Sequence, residues 1–211
     1  NIKIIFNIIT QTFDLTTPLA TSSAEIAGNP PQKDQAVQAA KSFLSVMSLL
    51  PADVDATKTK VTLLRLGNGQ LVRATSLSES DFVQVDLYRK NLNDLPILQP
   101  NPSQSLLSFL IQGGQGFDQK RVVQVHYSYK SIDTQTPSTY PIKTVDEAFE
   151  ELKQGGGFVV SEVPRGAAAI RKVYLAYYEG DDTLAYLLPI FVFEGENFIA
   201  YVEAVRVDWL D

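Results

Sequence analysis

The chain has 211 residues, of which 45% are hydrophobic, so it is long enough to bury one sizeable core or two small ones. Its net charge is −6 and it has no run of basic residues, which argues against nucleic acid, because phosphate binding needs clustered Lys and Arg. The sequence contains no cysteine, and this excludes disulfides, thiolate metal sites and a cysteine nucleophile.

The first half of the chain predicts a leading strand, a helix and three further strands. Residues 2–15 are rich in Ile, Phe and Thr and indicate a strand, with a shift of the alternation near Ile9. Residues 32–50 predict an amphipathic helix, because apolar residues recur every three or four positions until Pro51. Strands at 60–66 and 70–77 flank Gly67-Asn68-Gly69, a strong hairpin signal, and another strand follows at 82–89.

The middle of the chain predicts a linker, a short helix and a long strand. Residues 91–102 contain three prolines and three asparagines and have little periodicity, which is typical of a linker. A short helix is predicted at 103–111 and a strand at 121–132. That strand carries the single histidine, His126, on the polar face, where a solvated side chain is expected. A general-base role for His126 would need a nucleophile beside it.

The last third of the chain predicts one helix and three antiparallel strands. The helix spans 144–153, with Thr144 and Glu147 spaced as a capping box and Gly155-Gly156-Gly157 at its end. Strands are predicted at 170–178, 184–193 and 198–207. Pro189 lies within the second of them and indicates an edge strand or a bulge there.

Both halves share the order helix, strand, strand, strand, which indicates a repeated pattern. The predicted fold is therefore α+β, with antiparallel sheets each covered by a helix, in two helix-plus-three-strand units. We place an N-terminal unit with its leading strand at 1–100 and a C-terminal unit at 101–211.

The residues that catalysis needs are not brought together by the sequence pattern. General acid–base work requires two converging carboxylates, whereas the acidic residues lie on the solvent face of a helix or at hairpin tips. Asp53 and Asp55 start like an EF-hand loop, but no Gly at the sixth or Glu at the twelfth position follows. The glycines at 113–116 and 155–157 lack the context of a phosphate loop. We predict no catalytic residue, metal site or cofactor. The acidic residues of this helix and of the hairpin turns are Glu147, Glu150, Glu151, Asp181, Asp182, Glu194 and Glu196.

Tyrosines concentrate in the C-terminal strands, where they indicate ordinary strand packing or a partner surface. In the strand at 170–178, the alternation puts Tyr174 and Tyr178 on one face with Lys172, while the helix would cover the other face. These three residues are the predicted partner-binding site. The strand at 184–193 is apolar on both faces, so the sheet needs a second cover, from the other half of the chain or from another protein.

Four stretches resemble a known family. They are YPIKTVDEAFEEL at 140–152, IRKVYLAYY at 170–178, YLLPIFVFEG at 186–195 and FIAYVEAV at 198–205. Together they resemble a PepSY-like domain and are most similar to those of YycH/YycI-type bacterial proteins. The resemblance implies an extracytoplasmic part made of helix-plus-sheet units, a membrane anchor, and regulation of a sensor kinase by association without catalysis. It carries over no functional residue.

These observations favour a non-enzymatic, extracytoplasmic interaction or regulatory protein. Its partner would be a protein or peptide, with a membrane sensor kinase as one candidate, and an anchor is expected upstream of Asn1. The Ser/Thr-rich, Lys-poor first hundred residues and the lack of cysteine point towards this compartment. A structural cell-envelope or surface protein is the alternative, and a hydrolase built on Ser or Asp is the third hypothesis.

Overall fold

The computed structural model describes residues 2–19, 29–102, 105–113, 120–161, 168–180 and 186–206. The chain divides into two compact units. The first comprises Asn1–Arg89 and Ser105–Ile132, and the second comprises Lys90–Gln104 and Asp133–Asp211. The path therefore leaves the first unit after Arg89, returns to it at Ser105 and leaves it again after Ile132.

The described elements follow one another in this order: β1 (Lys3–Asn7), β2 (Thr12–Thr16), α1 (Lys33–Val46), β3 (Val54–Gly67), β4 (Gln70–Arg73), a 3-10 turn (Leu77–Glu79), β5 (Phe82–Arg89), β6 (Ile97–Leu98), β7 (Leu107–Gly113), β8 (Lys120–Tyr127), α2 (Val145–Lys153), β9 (Phe158–Val159), β10 (Ile170–Tyr178), β11 (Leu188–Gly195) and β12 (Phe198–Glu203). Neither described α-helix is long and apolar enough to cross a membrane.

The first unit is a seven-stranded sheet with α1 on one face. The strand order is β1-β2-β8-β7-β5-β3-β4, and every neighbouring pair is antiparallel. Ala36, Ala40 and Leu44 of α1 are fully buried, and the two small alanines allow the helix to lie close to the sheet. Phe43 meets Phe109 of β7 edge to face, with 6.0 Å between ring centroids. The helix predicted at 32–50 is confirmed, although it ends at Val46.

The second unit is a five-stranded sheet of order β6-β10-β11-β12-β9, in which only the β6–β10 pair is parallel. Here α2 covers one face and buries Ala148 among the side chains of β11 and β12. Phe149 lies against Phe193, with 5.9 Å between ring centroids. The strand at 170–178 is confirmed as β10.

Two local predictions are confirmed in detail. The β3–β4 hairpin closes at Asn68 and Gly69, whose φ angles of 52° and 77° are the left-handed pair of a type I′ turn. At the start of α2, the Thr144 hydroxyl accepts the Glu147 N–H at 3.2 Å, and the Glu147 carboxylate accepts the Thr144 N–H at 2.7 Å. Each of these two features is formed within four consecutive residues.

The predicted α+β fold of two helix-plus-three-strand units is wrong. Strands account for 46% of the described residues and helices for 15%, and the sheets have seven and five strands. Within the helix predicted at 103–111, residues 107–111 belong instead to strand β7, which is paired between β5 and β8. β7 is buried on both faces, and its apolar residues Leu107, Phe109, Leu110 and Ile111 do not alternate regularly with polar ones, so periodicity cannot assign the segment to helix or strand. Residues 2–15 form a hairpin, β1–β2, rather than one strand.

The prediction that Pro189 marks an edge strand or a bulge is also wrong, because β11 lies between β10 and β12 and the register shift in the β10–β11 pairing lies at Ile170/Lys172, away from Pro189. Pro189 accepts a hydrogen bond from the Ala204 N–H at 2.9 Å but has no N–H to return. The Lys143 N–H takes that place and donates to the Ala204 carbonyl at 2.7 Å. A residue from the segment before α2 therefore satisfies the acceptor that a central proline leaves open.

Candidate functional site

The predicted tyrosine site lies on the face of the second sheet opposite α2. That face holds a small core of Ala176, Ile190, Val192 and Tyr201, all at most 5% exposed. Leu98 and Val160, both from the second unit, pack against this core. The unit's own residues therefore cover much of this face.

The candidate residues themselves have partners inside the unit. Tyr178 meets Tyr201 edge to face at 6.0 Å between ring centroids, and the Tyr201 hydroxyl donates to the Gln99 carbonyl at 3.3 Å. The Lys172 ammonium lies 4.5 Å from the centroid of the Tyr174 ring. Burial raises the pKa of Tyr174, and the nearby Glu194 charge raises it further. These contacts favour strand packing for Tyr174 and Tyr178, with Lys172 at the rim.

His126 forms a pair with Asp14 on the face of the first sheet opposite α1. The His126 Nδ1 lies 2.7 Å from the Asp14 Oδ1, and Ser108 stands opposite His126 on the next strand. The three residues line a shallow depression of about 190 Å³. Within the described chain, however, Ser108 and His126 share no hydrogen bond, and the backbone N–H groups of central strands are used in the ladder rather than aimed at an oxyanion. The Asp–His pair alone does not assemble an acyl-transfer site.

The three glutamates of α2 each pair with a different cation. Glu147 lies 3.2 Å from Arg206, Glu151 lies 2.7 Å from Lys143, and Glu150 pairs with Lys153. The backbone N–H and the hydroxyl of Thr144 lower the pKa of Glu147, which identifies a capping role. These carboxylates point to different places and do not converge.

Asp53 and Asp55 are likewise separated. Asp53 accepts the Tyr129 hydroxyl at 2.9 Å and lies 3.4 Å from the buried Arg89 side chain, whereas Asp55 accepts bonds from Thr57. Burial and the bond to Asp53 raise the pKa of Tyr129 to about 12. Within the described parts of the chain, no three His, Asp or Glu side chains are placed to hold a metal ion. The predicted turn acids Asp181 and Asp182, and most of the glycine run at 113–116, lie outside the described residues.

The most unusual surface of the described chain is strand β1. All five of its residues are exposed, including Ile4 at 60%, Ile5 at 56% and Phe6 at 54%. The following turn adds Ile8 and Ile9, which are more than four-fifths exposed. Contiguous apolar surface of this kind marks an interaction site in a folded protein.

The register of the β1–β2 hairpin shows which way these side chains face. Ile4 stands opposite Leu15 and Phe6 opposite Phe13, and both β2 residues pack onto the core beneath α1. Ile4 and Phe6 therefore extend the apolar surface on the α1 side beyond the last strand with a core contact. Ile5, opposite Asp14, lies on the other face.

The outer edge of β1 is free of any described strand. The Thr17 N–H donates to the Val123 carbonyl at 2.8 Å, which directs the backbone groups of the odd-numbered β2 residues towards β8. The even-numbered β2 residues thus pair with the odd-numbered β1 residues. The N–H and C=O groups of Ile4 and Phe6 consequently point away from the sheet.

The other sheet margins are protected in familiar ways. β4 is four residues long and ends in Arg73, and β6 and β9 are two residues each. The part of β10 that β6 leaves uncovered carries the exposed Arg171 and Lys172. Short strands and charges discourage pairing with another chain. β1 has one charge, at Lys3, and no proline, so we take β1 as the candidate functional site.

Sequence reasoning identified a strand in this region but did not identify its exposure. The available signal was that Ile2, Ile4, Phe6 and Ile8 make one alternating face wholly apolar while Ile5 and Ile9 add apolar residues to the face that carries Lys3 and Asn7. No family model, no curated protein and no solved structure matches this chain. The resemblance to PepSY-like domains consequently stays a prediction.

Proposed function

We propose that this chain is a non-enzymatic binding protein that holds an extended segment of a partner protein by adding it to the sheet at β1. The observation that carries the proposal is the unprotected outer edge of β1, with its exposed Ile4, Ile5 and Phe6. In this mode of recognition, main-chain hydrogen bonds give affinity and alternate side chains give specificity.

The contacts available at β1 indicate the properties of the partner segment. Ile4 and Phe6 offer two N–H and two C=O groups, and each backbone hydrogen bond contributes about 0.5–1.5 kcal/mol net. Burying a fully exposed Ile or Phe side chain contributes roughly 1.5–3 kcal/mol, and each of these side chains has about half of its surface available. Association itself costs about 4–15 kcal/mol, so the affinity is modest. The preferred segment is uncharged, extended and apolar on the side that faces α1.

The biological setting we propose is an extracytoplasmic regulatory protein, with a membrane sensor kinase as a candidate partner. The cysteine-free composition and the resemblance of residues 140–205 support this setting. Fractionation of cells that express the complete gene product tests the compartment, and recovery in the cytosol would overturn it.

A peptide selection tests the binding mode. Extended eight-residue peptides from a randomised library are selected on the protein, and the best binder is titrated by fluorescence anisotropy. We expect alternating apolar residues in the selected peptides. N-methylation of the peptide amides that face β1 should abolish binding, while N-methylation of the alternate amides should leave it intact, because only one set can bond to the edge.

The matched variants are Phe6→Lys on β1 and Val72→Lys on β4, the opposite margin of the same sheet. Both replace an exposed apolar side chain on an outer strand with a charge. Phe6→Lys should weaken binding of the selected peptide at least about tenfold, since a lysine on an edge strand disfavours pairing. Equal loss in both variants, or binding that tolerates N-methylation at every position, would overturn the proposal.

A further inference from the structure

We infer that a second copy of this chain is itself a partner of β1, and that two β1 strands pair antiparallel about a twofold axis at Ile5. The inference rests on the proposed function, because both use the outer edge of β1. The homodimer would regulate partner binding, because it occupies the edge that a partner segment would need.

The register follows from the backbone directions within the hairpin. Ile4 and Phe6 have the outward N–H and C=O groups, so a symmetric pair must join even-numbered residues to even-numbered residues. Centring the pair on Ile5 places Ile4 opposite Phe6 of the second copy and engages all five residues of β1. The sheet would then continue through the dimer as fourteen antiparallel strands.

The charges of β1 favour this register over its neighbours. Lys3 is the only charged residue of the strand, and it stands opposite the uncharged Asn7 of the second copy. The two Lys3 residues are then four positions apart along the strands, which is about 14 Å at 3.4 Å per residue. That exceeds the Debye length of about 8 Å in physiological salt, so their repulsion is screened. Moving the twofold axis towards the N-terminus of β1 brings the two Lys3 side chains closer together. Moving it towards the C-terminus would require residues of the turn to take part in the pairing.

The faces of the sheet are also compatible. A twofold axis perpendicular to the sheet keeps both α1 faces on the same side. Ile4 and Phe6 of both copies then form one apolar patch, continuous with Phe13 and Leu15 of each copy. The interface is smaller than the roughly 1,200–2,000 Å² of standard complexes, so the dimer is expected to be weak and dependent on concentration.

Cysteine cross-linking tests the register, because the natural chain has no thiol. In Ile5→Cys the two thiols face each other at a non-hydrogen-bonded pair, with Cα atoms about 4.5 Å apart, within the range of a disulfide. In Ile4→Cys the two thiols of the dimer do not face each other, because each Ile4 stands opposite Phe6 of the second copy. Ile9→Cys puts a still more exposed thiol in the turn, away from the axis.

Under mild oxidation, Ile5→Cys should form covalent dimer at least about tenfold faster than Ile4→Cys or Ile9→Cys, because pairing raises the local thiol concentration. Equal rates for Ile5→Cys and Ile9→Cys would overturn the inference, as would fastest coupling of Ile4→Cys. Sedimentation of the natural chain should show a reversible monomer–dimer equilibrium that Phe6→Lys abolishes and Val72→Lys preserves. Circular dichroism of each variant confirms that it is folded.

Peptide binding separates this inference from the proposed function. The oxidised Ile5→Cys dimer should lose the selected peptide, and reduction should restore binding. If the natural chain binds the peptide but stays monomeric, and Ile5→Cys forms covalent dimer no faster than its controls, the homodimer alone would be overturned. A chain that dimerises but binds no peptide would overturn the capture of a partner alone, and a chain that does neither would overturn both.

Discussion

The two sheets of this protein end differently. The second sheet closes its margins with two-residue strands, β6 and β9, and places Arg171 and Lys172 on the uncovered part of β10. The first sheet ends on one side in the short β4 and on the other in β1, which is exposed and almost uncharged. Since both sheets are built by the same chain, the open edge of β1 is a local property and not a general lack of protection.

Burial sharpens this contrast within the first sheet. Phe109, on a central strand, is completely buried, whereas Phe6, on β1, keeps more than half of its surface in water. A side chain that remains exposed contributes little of its transfer free energy to folding. The apolar composition of β1 is therefore better explained by association than by stability.

The largest expected difference concerns these two phenylalanines. Phe109→Ala should lower the free energy of unfolding by about 3–5 kcal/mol, because it opens a cavity in the core beneath α1. Phe6→Ala should change it by less than about 0.5 kcal/mol, as is usual for surface sites. Urea denaturation monitored by circular dichroism at low protein concentration compares the two. A large loss in Phe6→Ala would show that β1 is needed for folding and would break the comparison.

The second-largest effect is expected where β9 closes one margin of the second sheet. Gly157, between α2 and β9, has φ +85°, and an added Cβ would lie 2.5 Å from the Tyr201 carbonyl oxygen. Gly157→Ala should cost about 2–4 kcal/mol, from left-handed strain and displacement of the backbone. Gly155 has the same φ with open space around it, so Gly155→Ala should cost only about 1–2 kcal/mol.

Hydrogen exchange locates that effect. The Ile199 N–H donates to the Ser161 hydroxyl at 3.0 Å, next to the β9–β12 pairing. Its exchange should accelerate in Gly157→Ala and stay close to the natural rate in Gly155→Ala. If both variants exchange alike, β9 does not depend on the tight approach at Gly157.

A smaller effect is expected at the start of α2, the helix that leads to β9. Thr144→Ala removes the hydroxyl that accepts the Glu147 N–H and should destabilise the second unit by about 1 kcal/mol. Thr144→Ser keeps the acceptor and should retain most of the stability. Thermal unfolding of the two variants measures the difference, and equal melting temperatures would contradict a capping role.

The smallest expected effect is a dependence on pH. Hydrogen bonds from Thr144 lower the pKa of Glu147 in the folded protein, so the stabilisation is present above the ordinary carboxyl pKa and is lost as the pH falls through the lowered value. Glu147→Gln should flatten this part of the pH profile of stability. Parallel profiles for the natural chain and Glu147→Gln between neutral and acidic pH would contradict it.

The local elements of this fold could be predicted from the sequence. Three of them depend only on residues that are close together in the chain: the capping box of Thr144 and Glu147, the turn at Asn68 and Gly69, and the alternation of β10. The same alternation put Tyr174 and Tyr178 on the face away from α2. The packing of Leu98 on that face and the hydrogen bond from Tyr201 to Gln99 could not be predicted, because residues 91–102 lack periodicity and are typical of a linker.

The arrangement of the strands was decided by tertiary structure. Asp14 meets His126 across 112 positions of the chain, and a proline-containing strand lies in the interior of the second sheet, where Lys143 supplies the hydrogen bond that Pro189 cannot make. By itself, the sequence determined that a strand forms near the N-terminus and that it is apolar. Only the assembled sheet decided that this strand is outermost, since burial and edge exposure depend on which distant segments pair beside it.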